Sequence, residues 1–149
     1  MKSLTVSILA SILLAILLAG CEKAPVNSRI EGHWKLEHIR TLSDNKTTQC
    51  SRIYYSITRM VTEVAEKDGS HNYGAFIART IYKDNESVLV LKDFKRRAGT
   101  ADDGATPTKE QLLPFGIDNP KETTFKVVES SHRQLILESP YARLVLKRF

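Results

Sequence analysis

From Ile30 onward, apolar and polar residues alternate with a period of two in short runs separated by turn residues, the pattern of half-buried β-strands. "IEGHWKLEHIRTL" sets Ile30, Trp34 and Leu36 on one face. "RIYYSITRMVTEVAEK" is rich in β-branched and aromatic residues, reads as one strand, and ends at the turn Lys67-Asp68-Gly69. "YGAFIARTIY" and "SVLVLKDF" flank Lys83-Asp84-Asn85-Glu86, a hairpin loop in composition. "TTFKVVES" brings Thr123, Phe125 and Val127 together, and "HRQLILES" meets "YARLVLKRF" through the tight connection Ser139-Pro140. Seven strands in sequence-adjacent hairpins predict an all-β antiparallel meander. The last run reaches Phe149, so the final strand is expected to pair with the first and close a small barrel.

One segment breaks the pattern. Lys95 to Lys121, "KRRAGTADDGATPTKEQLLPFGIDNPK", is long and rich in Gly, Pro and Asp. Thr106 followed by Pro107 suits an N-cap with proline at the first helical position, and Pro114 stops the helix after Leu113. This predicts one short helix before the last three strands. Leu112, Leu113, Phe115 and Ile117 are too apolar for a free loop, so the segment is expected to lie on the barrel. It is either a lid or plug over an open end, bracketed by Gly104 and Gly116, or a packing element that caps the core.

The N-terminus follows a different rule. After Lys2, an apolar stretch runs from Leu4 to Ala19 and stops at Gly20-Cys21. A membrane-spanning helix needs about 20 apolar residues, whereas a secretory leader needs a positive start, a shorter apolar run and small residues at its cleavage site. The second description fits. Leu18-Ala19-Gly20-Cys21 resembles the lipobox of bacterial lipoproteins, in which the cysteine thiol carries a diacylglycerol after cleavage. The resemblance implies a leader over 1–20, a lipidated tether over 21–29 and one domain over 30–149. It also implies an acylated Cys21 (palmitate-type chains) as the membrane anchor. Stable anchoring takes more than one acyl chain. Glu22, where inner-membrane retention uses aspartate, implies the outer membrane, and the tether lacks an acidic surface-export run, which leaves the periplasmic face.

Composition narrows the function further. The chain carries 22 basic and 17 acidic residues. Removing residues 1–20 deletes only Lys2, leaving 21 against 17, or +4. The bases are scattered, and Lys95-Arg96-Arg97 is followed by Asp102-Asp103, so a solvated loop is expected rather than a polybasic patch. No nucleic-acid partner is expected for an exported chain of this charge. With Cys21 acylated, Cys50 has no intrachain partner and reads as a small buried residue. His33, His38, His71 and His132 show no metal-ligand spacing. Nucleophile, zinc-protease and phosphate-loop motifs are absent, so no catalytic residue, metal or cofactor is assigned and a non-enzymatic role is expected.

Gly32-His33-Trp34 on the first strand resembles the Gly-x-Trp signature of lipocalins. The run from Leu112 to Phe149, with the leader and the order of elements, is similar to the small lipocalin-like lipoproteins of Bacteroidetes. The resemblance implies a small lipocalin-like β-barrel. Gly32 lets the backbone approach or bend where a Cβ would not. Trp34 closes the barrel bottom and needs one acceptor for its N–H. In such barrels a basic residue of the last strand stacks over that indole; Arg148 shares strand parity with Leu144 and Leu146, whereas Arg143 does not.

Three functions remain open from sequence. The leading one is a membrane-anchored, monomeric binding module for a small apolar or amphipathic ligand. The second is a solid-cored accessory lipoprotein of an envelope complex, or a hydrolase inhibitor, with no small-molecule ligand. The third is a hydrolase or isomerase whose site is assembled from distant residues. An eight-stranded barrel is just wide enough either to fill with side chains or to hold one small ligand, so interior volume separates the first two.

Overall fold

The computed structural model describes residues 29–69 and 71–149. The leader, the lipobox residues Leu18, Ala19, Gly20 and Cys21, and the tether up to residue 28 lie outside them. The strands are β1 (Gly32–Thr41), β2 (Thr47–Gln49), β3 (Ile53–Ile57), β4 (Val61–Glu66), β5 (Ala75–Lys83), β6 (Val88–Ala98), β7 (Ala101–Asp102), β8 (Glu122–Ser130), β9 (Gln134–Glu138) and β10 (Ala142–Arg148). A single short helix, α1 (Lys109–Leu112), and a 3₁₀ turn (Leu113–Phe115) lie between β7 and β8.

Eight strands close the barrel in the order β10-β9-β8-β6-β5-β4-β3-β1, and β1 pairs back onto β10. Every pairing is antiparallel, as chain-adjacent hairpins require. Closure leaves the barrel wall no free edge. The inward residues Leu36, Tyr55, Val64, Phe76, Leu89, Leu91, Phe125, Leu135, Leu137, Leu144 and Leu146 form one buried core. Thr62, Thr80, Thr123 and Ser139 are buried polar residues among those described: the hydroxyls of Thr62 and Thr80 satisfy each other at 2.8 Å, Thr123 donates to the Asn119 carbonyl at 3.0 Å and Ser139 to the Ala142 carbonyl at 3.3 Å.

The structure departs from the sequence reading at three places. The run Arg52 to Lys67 is a hairpin, because Thr58 builds a tight turn there. Its amide donates to the Val61 carbonyl at 3.0 Å, its hydroxyl donates to that carbonyl at 2.7 Å, and its Oγ1 accepts from the Val61 amide at 3.2 Å. A hydroxyl-built turn carries no Gly or Pro to announce it. Second, β2 and β7 are short strands outside the barrel wall, each paired on β1 or β6 and exposed throughout. Third, the helix is capped by Thr108 and not by Thr106. Thr108 Oγ1 accepts from the Gln111 amide while Gln111 Oε1 accepts from the Thr108 amide, a capping box that leaves Pro107 before the helix. Pro114 sits inside the 3₁₀ turn, which ends at Gly116 in the left-handed region.

Candidate functional site

The two ends of the barrel are built differently. At one end Trp34 is fully buried, and its Nε1 donates to the Ile30 carbonyl at 2.7 Å. Arg148 lies directly opposite Trp34 in the β1–β10 register, and its guanidinium carbon stands 4.3 Å from the indole centre. Arg148 Nη1 also donates to the Glu31 carbonyl at 3.0 Å, and Nε to the His132 carbonyl at 3.4 Å. Gly32 makes this possible. Its φ of +144° is one that L side chains rarely adopt, and a Cβ would overlap the Arg148 guanidinium. Gly32, Trp34 and Arg148 thus form one closed end.

The opposite end is stoppered by the segment between β7 and β8. Leu112, Phe115 and Ile117 have no exposed surface and belong to the barrel core. Leu113 is half-buried and faces a cleft. The Tyr55 hydroxyl, deep in the barrel, donates to the Phe115 carbonyl. A ladder of rings runs from the rim inward. His71 stacks on Tyr73 at 4.9 Å, Tyr73 meets Phe115 edge-on at 6.4 Å, and Phe115 meets Phe76 edge-on at 5.7 Å. A Cβ on Gly116 would collide with Leu144, so this end of the segment is clamped, whereas Gly104 has open space around it.

A change of strand partner opens a cleft beside this plug. The first part of β1 pairs with β3 and, past an irregularity between Leu36 and His38, β1 pairs with β2 instead. The chain returns from β2 to β3 through Cys50, whose amide donates to the Glu37 carbonyl at 2.8 Å. The resulting cleft has a volume of about 300 Å³. Ile39, Ile53, Leu113 and Pro114 supply apolar surface, and Thr41, Thr48, Gln49, His71, Tyr73 and Tyr141 supply polar groups. A second hollow of about 320 Å³ adjoins it through the shared residues Ser51 and His71.

Two ionisable groups at this mouth are tightly held. The Glu66 carboxylate side chain is 3% exposed, and it accepts from His71 Nδ1 at 2.7 Å and from the Tyr73 amide at 2.9 Å. Burial alone would raise its pKa, but these bonds together outweigh burial and hold the carboxyl below its ordinary value of 4.5. Cys50 makes no disulfide among the described residues, and burial pushes its thiol up to about 11. A thiol held protonated is a poor nucleophile. No group of three or more His, Cys, Asp or Glu side chains is placed to hold a metal among the described residues.

Sequence reasoning singled out both ends of the barrel but missed the cleft walls. Glu66, His71 and Tyr73 come from the end of β4 and the connection to β5, Tyr141 comes from the β9–β10 turn, and only barrel closure brings the two places together. The stretch Glu66-Lys67-Asp68-Gly69 carried a turn signal, with nothing in it to say that Glu66 folds back over that turn.

The family model of a lipocalin-like domain matches residues 16–149. A lipocalin-like protein from Bacteroides uniformis has a similar crystal structure, with a TM-score of 0.61 at 18% identity over 82% of this chain and 100% of that one. An uncharacterized protein from Bacteroides eggerthii is similar too, with a TM-score of 0.61 at 19% identity over 80% of this chain and 98% of that one. No curated protein matches the sequence.

Proposed function

The chain belongs to the lipocalin-like domain family, and from that premise we propose that it is a lipid-anchored periplasmic binding protein that takes one small amphipathic molecule at the plugged mouth. The observation that carries this reading is the cleft of about 300 Å³ between the plug and β2, at the lower bound of the volumes that hold small ligands. Ile39, Leu113 and Pro114 offer surface for an apolar part, while Tyr141, Thr41 and His71 offer partners for a polar head. The barrel interior does not compete for this role, because Leu112, Phe115 and Ile117 complete a core of side chains there. The anchor half of the proposal is supported by the leader and the Leu18-Ala19-Gly20-Cys21 motif. The site is read as binding and non-catalytic: its thiol is held protonated and Glu66 is taken up by His71 and Tyr73.

A dansylated fatty acid titrated into the chain lacking residues 1–21 tests the reading. Saturable binding is expected, weakened by Leu113→Ala and by Tyr141→Ala with the folded state intact. The filled core supports a second reading, in which the barrel is a solid scaffold whose outside docks an envelope protein. Failure of amphipathic probes to bind, with the fold confirmed by dichroism, would shift the balance to it.

A further inference from the structure

The exposed apolar residues are unevenly placed. Met60 (70% exposed), Val61 (43%), Val128 (41%) and Phe149 (73%) are all near the Trp34 end, and Leu42 (38%) is near the mouth. The pairings fix this distribution. Gly32 faces Ile57 just before the turn that carries Met60, and Trp34 faces Arg148. The Arg148 amide donates to the Arg133 carbonyl, which brings the β8–β9 turn and nearby Val128 to the same end. The Phe149 amide donates to His33, and its ring lies edge-on to Tyr54 at 5.0 Å. Arg59 on the β3–β4 turn and Arg133 on the β8–β9 turn are exposed here, as is Glu129 near the end of β8.

The chain enters the barrel at this end, since Ile30 is buried beneath Trp34. Glu22 to Arg29 is eight residues, a reach of at most about 29 Å. The Trp34 end therefore stays within one tether length of Cys21, and the mouth lies a barrel length farther along. Met60 stands on the β3–β4 turn, Val128 in the second half of β8 and Phe149 just past the end of β10, so the exposed apolar residues come from three separate parts of the chain. Exposed apolar side chains at the end from which the tether leaves suit contact with the headgroup layer of the leaflet that holds the lipid.

We propose that the Trp34 end rests on the leaflet holding the N-terminal lipid, with Met60, Val128 and Phe149 in the headgroup region and the mouth cleft turned away from the membrane. The proposal rests on the lipid-anchor reading. The test uses the full chain, expressed with its own leader and Cys50→Ser, and spin-labelled through Met60→Cys or Leu42→Cys. It is reconstituted into phosphatidylethanolamine–phosphatidylglycerol vesicles. On vesicles, the label at position 60 is expected to lose access to a water-soluble nickel relaxant and gain access to oxygen, relative to the protein in detergent. The label at position 42 is expected to keep its access to nickel. Equal access at both positions in acylated, vesicle-bound protein would overturn the proposal and leave the anchor standing, as would protection at position 42 alone. Mass spectrometry showing Cys21 without acyl chains would remove the anchor and the proposal together.

Discussion

Trp34 and Arg148 show how much a single strand pair decides. The indole is fully buried, so Trp34→Ala should cost about 3–5 kcal/mol, a large share of the roughly 5–15 kcal/mol available to a domain. Arg148→Ala should cost less, about 0.5–2 kcal/mol for the stacked cation. Urea midpoints of the two variants check the order, and equal losses would contradict it. This pair was legible in the sequence because parity on a strand survives folding: Leu144, Leu146 and Arg148 leave β10 on the same side, which puts the exposed Arg148 over the buried indole. The alkaline limb belongs to this scale too. Cys50 titrates near 9.0 when unfolded and about 11 in the fold, and burial holds Tyr55 well above its ordinary 10.0. Both are protonated in either state below pH 9.0, so that stability is fully present there. Above it the unfolded chain loses protons first, and stability falls as pH rises through about 11. Unfolding midpoints across this range should drop, with the early part of the drop absent in Cys50→Ser. The acid limb has the opposite sign. Glu66 contributes stability above its ordinary 4.5, and that contribution is lost as pH falls through its depressed folded value.

At the scale of elements, the plug separates packing from binding. Phe115→Ala, which removes a fully buried ring, should cost about 3–5 kcal/mol. Leu113→Ala, on the half-buried cleft side, should cost less and act mainly on probe affinity. Thermal unfolding together with a probe titration checks both, and the reverse pattern would make Leu113 part of the core. Alternation gave the strand runs and their order, since period two follows from geometry. Three features were not legible in the same way. The turn at Thr58 uses a hydroxyl in place of Gly or Pro, so its run read as one strand. The exchange of β3 for β2 along β1 is a tertiary event with no local pattern. The capping box was present as Thr108-x-x-Gln111, but Thr106-Pro107 offered a competing start.

For the whole molecule, a side-chain-filled barrel carries the mouth cleft at one rim and the chain's entry through Ile30 at the other, the side from which the proposed anchor would extend. Cys21→Ser should abolish acylation and leave the chain unprocessed or released from membranes, read by fractionation and mass spectrometry. A processed, acylated variant still fractionating with the outer membrane would contradict the anchor. The central claim is that any small molecule sits at the mouth and not inside the barrel. Two-dimensional NMR of the chain lacking residues 1–21, titrated with a saturating amphipathic probe, tests it most directly. The account predicts shifts confined to Thr41, Cys50, His71, Tyr73, Leu113 and Tyr141, with Leu89, Leu91, Leu135 and Leu146 unmoved. Shifts centred on those inner leucines would mean that the plug opens and the ligand enters the core, and the account would be wrong.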